Sequence, residues 1–187
     1  MPELVGNMRA VFINRYGGVE VLEYGDQPRP IPRSGQVLVE VHAASVNPRD
    51  WLLREGRYVF RYLMRGFPMI LGSDVSGVVV QSGPNTTRFR PGDAVFGMQT
   101  AFGRMGGYAE YIAIDEWALA AKPANVSHEE AAAVPCAALT AYGALLQVGR
   151  TTAGSRVAII GASGGVGTYA DVLPNFGPSA RLGSGCS

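Results

Sequence analysis

The run Arg156-Val-Ala-Ile-Ile-Gly-Ala-Ser-Gly-Gly-Val-Gly167 constrains the fold of this chain more than any other stretch. A short segment rich in β-branched residues that meets glycine directly predicts a strand buried on both faces of a parallel sheet, turning into a helix. Ala162-Ser-Gly-Gly-Val-Gly167 keeps the spacing of G-x-G-x-x-G with alanine in the first place, and Gly161 stands one residue earlier. In that pattern Gly164 lets the backbone approach a pyrophosphate and Gly167 lets the next helix pack close to the strand. The helix N-terminal amides then face the negative charge. Small residues that merely make a tight strand-to-helix turn satisfy the same spacing, so both readings stand at this point.

A complete dinucleotide site continues with an amphipathic helix, a second strand and a ribose-reading residue about 20 positions on. Here 20 residues follow Gly167 in a chain of 187. Pro174, Gly177 and Pro178 limit any helix to about two turns, because proline removes an amide and clashes with the preceding turn. Ser179 to Ser187 shows no periodicity, so 171–187 is expected to be an aberrant or disordered tail. The nucleotide domain is expected to be begun and not finished.

Upstream the character is different. From Met8 to about Lys122 the chain reads as short strands joined by Gly/Pro turns. Gln36 to His42 alternates Val37, Val39 and Val41 with Leu38, Glu40 and His42, the pattern of a strand with one buried face. Val75 to Gln81 and Tyr108 to Ile114 read similarly, and Arg90-Pro-Gly-Asp93 carries turn chemistry. Strands without intervening helices predict a barrel or a pair of curved sheets. Ser127-His-Glu-Glu130 is a capping box that opens a helix. That helix is interrupted at Val134-Pro135, after which Leu139, Tyr142, Leu145 and Leu146 recur at helical spacing.

Composition narrows the function classes. A 47% hydrophobic share supplies a core, and a formal net charge of +1 offers no basic field for nucleic acid or an anionic membrane. No apolar run approaches the roughly 20 residues of a membrane span, and the N-terminus lacks signal-peptide features, so a cytoplasmic protein is expected. The two cysteines, Cys136 and Cys186, and the two histidines, His42 and His128, show no metal-ligand spacing. Asn85-Thr-Thr87 fits a glycosylation sequon, read as chance without an export signal.

This order of parts resembles the medium-chain dehydrogenase/reductase superfamily, in particular its zinc-free quinone oxidoreductase and reticulon-4-interacting-protein-like branch. The matching pieces are Ala44-Ser-Val-Asn-Pro-Arg-Asp50, Leu71-Gly-Ser-Asp-Val-Ser-Gly77, Phe89-Arg-Pro-Gly-Asp-Ala-Val-Phe96, Gly106-Gly-Tyr-Ala-Glu110, Val134-Pro-Cys-Ala-Ala-Leu-Thr-Ala-Tyr-Gly143 and the Gly161–Gly167 turn. The resemblance implies an α/β chain: a GroES-like β barrel (1–126), then a connector helix and the first βα unit of an incomplete Rossmann domain (127–170), then the 171–187 tail.

It also implies a site. Zinc-dependent members carry a cysteine where this chain has Asn47 and a histidine where it has Ser73, so no catalytic zinc is expected. The resemblance places Asn47 and Asp50 beside nicotinamide and substrate as catalytic candidates, Thr140 against the nicotinamide side, and Ala162, Ser163, Gly164, Gly165, Val166 and Gly167 at the phosphates. The implied activity is NADPH-dependent hydride transfer, with NADH as the other option, to an electron-poor carbon of a quinone, enone or aldehyde, with the developing negative charge met, in the absence of zinc, by hydrogen-bond donors such as the Asn47 amide, the Thr140 hydroxyl, backbone N–H groups or water. Full-length relatives imply a homodimer, with neither nucleic acid nor membrane as partner. Residue by residue, other readings stand beside these. Asn47 before Pro48 also suits a turn, Asp50 suits a cap for a helix starting at Trp51, and Thr140 suits a helix interior. Tyr58, Phe60, Tyr62 and Phe67 suit either a substrate cleft or loop packing. A β-barrel binding module without catalysis, or a frameshifted remnant, is the alternative for the whole chain.

Overall fold

The computed structural model describes residues 6–63, 66–99, 105–152, 154–173 and 181–184, the last four through their backbone. It divides into two compact units, Met1–Ala133 and Val134–Ser187.

The first unit is the expected β structure. Strands β1 (Asn7–Ile13), β2 (Leu22–Pro28), β3 (Gln36–Ala44), β4 (Met69–Ile70), β5 (Asp74–Ser82), β6 (Ala94–Met98), β7 (Tyr111–Asp115) and β8 (Leu119–Ala121) form two sheets, ordered β2-β1-β4 and β7-β3-β5-β6-β8. Neighbouring strands in both sheets run antiparallel. Alternate side chains of β3, β5, β6 and β7 point inward to a core of Val37, Val39, Val75, Val79, Val95, Ile112 and Ile114, closed by Phe89 and Leu119. Leu38 departs from the expected alternation and is 1% exposed. The turn at Arg90–Asp93 forms as its residues predict. Gly92 adopts φ +100°, and the Arg90 amide donates to Asp93 Oδ2 at 2.8 Å.

A second apolar cluster, Ile13, Val21, Leu53, Met69, Leu71 and Met105, packs with Tyr58 and Tyr108 under helix α1 (Pro48–Arg54). This helix begins three residues before the expected Trp51. Asn47 is its N-cap and proline occupies its first position, where a missing amide costs nothing. Tyr108 to Glu110 were expected to open a strand, yet β7 starts at Tyr111. The Tyr108 carbonyl accepts from Val11, and the Glu110 carbonyl accepts from Val41, so the segment crosses from one sheet to the other as a corner.

Helix α2 (His128–Ala132) starts from the predicted capping box, with Ser127 N–H donating to Glu130 Oε2 at 2.8 Å and Glu130 N–H to Ser127 Oγ at 3.2 Å. It packs on β3, β5 and β6, so it belongs with the strands rather than with the connector.

The second unit holds helix α3 (Pro135–Tyr142), which continues as a π-helical segment over Gly143–Val148. Strand β9 (Arg156–Ile159), helix α4 (Gly165–Val172) and strand β10 (Arg181–Ser184) follow. The tail therefore contains structure that its composition did not suggest: β10 lies parallel to β9, with Arg181 opposite Arg156 and Ser184 opposite Ile159. Backbone pairing needs no side-chain periodicity, and a helix between two parallel strands is the usual crossover. Ala141, Leu145 and Ala170 form the unit's core, joined by Val157 and Ile159 from one face of β9. Among the described residues nothing covers the other face as expected for a strand buried on both sides; Ile160, just beyond the strand, is 97% exposed. Leu139, Tyr142 and Leu146 of the predicted helical stripe are exposed as well.

Candidate active site

In the first unit, the chain leaves β3 at Ala44, turns through Ser45-Val-Asn47 and enters α1, which brings Asn47 against the start of β5. The Asn47 side-chain nitrogen donates to Ser45 Oγ at 3.0 Å and to Asp74 Oδ2 at 3.1 Å, and Ser45 Oγ donates to the same Asp74 oxygen at 3.1 Å. A carboxylate only accepts, which sets the amide orientation: both N–H bonds are committed and Oδ1 is left as the acceptor. This differs from the expectation that the Asn47 amide donates to developing negative charge.

Asp50 is 2% exposed. Its Oδ2 accepts from the Asn47 backbone N–H at 2.8 Å and from the Tyr108 hydroxyl at 3.0 Å, while Ser73 Oγ reaches Oδ1 at 3.5 Å. Burial pushes the Asp50 carboxyl above the usual carboxylate range. The Asn47 amide, the Tyr108 hydroxyl and the nearby Arg49 charge pull it back, and Asp74 adds to the push. Burial and the facing carboxylate raise the Tyr108 phenol, so it stays a donor. Asp50 thus turns both oxygens to these partners. It fixes the N-cap, and Asp74 fixes the amide.

Tyr108 is locked in turn by glycine. Gly72 adopts φ +87°, and a Cβ there would run into the Tyr108 ring. The Gly72 carbonyl accepts from Gly106 and Gly107 at 3.1 and 3.0 Å, pinning the residues before Tyr108. Of the aromatic candidates, Tyr58 meets Phe60 edge-on at 5.9 Å and Phe67 meets Tyr16 at 5.0 Å, whereas Tyr62 is exposed.

In the second unit, the turn after β9 has the backbone its glycines predict. Gly161 adopts φ +77° and accepts from Gly164 N–H at 3.0 Å. A Cβ on Gly167 would collide with the Gly161 carbonyl and sit 2.6 Å from Ala162 Cα, so glycine alone permits this helix-to-turn approach. Ser163, Gly164, Gly165 and Val166 are exposed at the start of α4, and Ala162 is half-buried. The turn therefore offers an exposed helix N-terminus where phosphate oxygens fit. Thr140 is exposed on α3, its hydroxyl donating to the Cys136 carbonyl at 2.7 Å.

Sequence reasoning missed Asp74, Ser45 and Tyr108 as parts of the site. All three lay inside the matching motifs, but nothing in their spacing shows that they converge on Asn47 and Asp50.

The pattern described as the alcohol dehydrogenase GroES-like domain matches residues 33–124, the span that builds the Asn47 corner. The chloroplastic quinone oxidoreductase of Triphysaria versicolor is 40% identical over 176 residues, covering 91% of this chain and 53% of its own length. The chain belongs to the medium-chain dehydrogenase/reductase superfamily. The mitochondrial NAD(P)H oxidoreductase RTN4IP1 of Bos taurus is 38% identical, with 87% of this chain and 45% of that protein covered. Among solved structures, the quinone oxidoreductase of Coxiella burnetii matches with a TM-score of 0.85 at 32% identity, covering 96% of this chain and 56% of that one. An alcohol dehydrogenase superfamily protein of Novosphingobium aromaticivorans matches with 0.84 at 35%, covering 95% and 52%. This superfamily member thus spans about half the length of the relatives it matches. Its fold is the α/β order expected: a GroES-like unit, then the opening of a Rossmann unit. No helix among the described residues is long and apolar enough to cross a membrane, and no group of three or more metal-ligating side chains occurs among them.

Proposed function

We propose that this chain carries the substrate-side unit and the first phosphate-binding turn of an NADPH-dependent, zinc-independent reductase acting on quinones, enones or aldehydes, with NADH as the alternative cofactor. The observation that carries the reading is the turn at Gly161–Gly167. It combines a left-handed Gly161, a Gly167 with no room for a Cβ, and exposed amides at the start of α4. Relatives named as quinone and NAD(P)H oxidoreductases support it.

When bound, reduced nicotinamide supplies the hydride. Ser163, Gly165 and Val166 would hold its phosphates through backbone amides, with Ala162, Gly164 and Gly167 shaping the turn, and Thr140 would lie on the nicotinamide side. Asn47 would present Oδ1, which also faces the Asp50 backbone N–H in the capping box, as a fixed acceptor for orienting an amide or hydroxyl, because Asp74 and Ser45 hold its nitrogen. Asp50, held in turn by Tyr108, would fix the Asn47 backbone at the helix start rather than touch substrate. Asn47 and Ser73 stand where the resemblance puts zinc ligands in other members, and neither has the nitrogen or sulfur ligand that site uses. Cytoplasmic residence and homodimer formation belong to this reading, whereas the relatives named above are chloroplastic and mitochondrial.

The uncovered face of β9 favours a second reading, a β-barrel binding module without catalysis. Following nicotinamide fluorescence during an NADPH titration separates the two. The reductase reading expects binding by the chain extended with a complete nucleotide domain, weak or absent binding by the 187-residue chain, and loss of binding on Gly167→Val. An extended chain that neither binds NADPH nor reduces a quinone sinks the reading.

A further inference from the structure

The Asn47 corner contains a cation that the proposed function leaves unused. Arg49 follows Pro48 in the first turn of α1, half-buried. Its Nη1 rests 3.8 Å from Met98 Sδ, and its guanidinium carbon lies 5.8 Å from the centre of the Tyr58 ring. Its other two nitrogens, Nε and Nη2, are shielded from water and have no hydrogen-bond partner among the described residues. No ion pair among those residues includes Arg49, although Arg54 and Arg57 both reach Glu55. A guanidinium whose donors are desolvated and unpaired is costly, so its retention asks for an acceptor.

Its position says where that acceptor lies. Met98 is directly opposite Asp74 in the β5–β6 ladder, so their side chains share one face of the sheet. Asp74 is the residue that holds the Asn47 amide. Arg49 and Asn47 thus reach the same sheet corner from consecutive turns of one loop and helix. The unpaired atoms form the Nε–Nη2 edge, the edge that pairs side-on with the two oxygens of a carboxylate.

We infer that Arg49 binds a carboxylate of the substrate, so that this site prefers electron-poor acceptors carrying an acidic group over neutral ones. The nearby Asp50 does not fill the role: its oxygens are turned to Asn47, Tyr108 and Ser73. The inference deepens the reductase reading in naming the substrate class, but its binding step stands independently of turnover.

The test is benzoate against benzamide, its uncharged near-isostere, titrated into the full 187-residue chain while the Arg49 Nε–H resonance is followed by NMR. The expected result is saturable benzoate binding that moves this resonance, with benzamide at least about tenfold weaker. Arg49→Met, which keeps an apolar stem against Tyr58 and Met98, should bind benzoate at least about tenfold more weakly, and Arg49→Lys, which keeps charge but loses the fork, should fall between. Equal binding of the two probes, or no benzoate binding in the millimolar range, overturns the inference without needing any variant to fold. In the extended chain, Arg49→Met should raise KM for a carboxylated enone and leave that for its methyl ester unchanged. Equal loss on both substrates would mean that Arg49 serves the developing oxyanion, and the carboxylate preference would fall. Benzoate binding without any reductase activity would sink the reductase reading and leave Arg49 as an anion site.

Discussion

Replacing Tyr108 with phenylalanine removes one oxygen and keeps the ring against Gly72 and the second apolar cluster, so it isolates the hydroxyl's contribution to the Asn47 corner. The hydroxyl donates to Asp50 Oδ2 at 3.0 Å; its 3.4 Å approach to the Ser45 carbonyl is too long to count for much. A hydrogen bond to a charged acceptor is worth about 1.5–3 kcal/mol net, and the half-buried position of Tyr108 argues for the lower end, about 1.5 kcal/mol. With a urea slope of about 1.5 kcal/mol per M for a unit of this size, the midpoint should fall by about 1 M. Both tryptophans, Trp51 and Trp117, lie in the first unit, so their fluorescence follows that unit alone. The pH dependence separates a lost hydrogen bond from lost packing. The Tyr108 bond favours the charged carboxylate, so its stabilisation is present above the folded Asp50 value, which burial raises, and is lost as pH falls through it. The midpoint difference between Tyr108→Phe and the parent should therefore be near 1 M at about pH 8 and clearly smaller at about pH 4. A difference of the same size at both pH values would refute the hydrogen-bond argument, and no difference at either would refute the role of Tyr108 altogether.

Gly72→Ala should destabilise the first unit by more than about 1 kcal/mol, because φ is positive and the new Cβ meets the Tyr108 ring; a urea midpoint equal to the parent's contradicts the latch. His128 sits 4.5 Å from the His42 ring with Nδ1 2.7 Å from Ser76 Oγ, and burial together with His42 lowers its pKa below the usual histidine value. A depressed folded value contributes stability at pH above about 6.5 that is lost as pH falls through it, so the first unit should weaken between about pH 7 and pH 5, and His128→Gln should flatten that slope in a urea series. Elemental analysis of protein purified without chelators should find no stoichiometric zinc; about one zinc per chain would contradict the zinc-independent reading.

The parts of this molecule that local chemistry dictates were legible in its sequence. The capping box at Ser127 to Glu130, the Arg90–Asp93 turn and the glycine turn after β9 each depend on residues within a few positions of one another, and each forms as its side chains require. What depended on distant partners was not. The alternation that predicted a strand from Tyr108 was real, but the residue's hydroxyl is held by Asp50, 58 positions away, and its carbonyl by Val11, so the chain turns a corner there. Asp74 reads as one more polar residue at a strand start until the fold sets it 3.1 Å from the Asn47 amide.

The same distinction explains why Asn47 itself was identified while its chemistry was not. Its place before Pro48 and within a quoted motif singled it out, but whether a buried amide offers a donor or an acceptor depends on what surrounds it. Here a carboxylate contributed by another strand takes both of its donors, together with the Ser45 hydroxyl, which converts an apparent oxyanion stabiliser into an acceptor. That conversion would leave the negative charge of the proposed substrate without a partner on Asn47, and the unpaired edge of Arg49, two residues further along, would then be the group on which the proposed substrate choice turns.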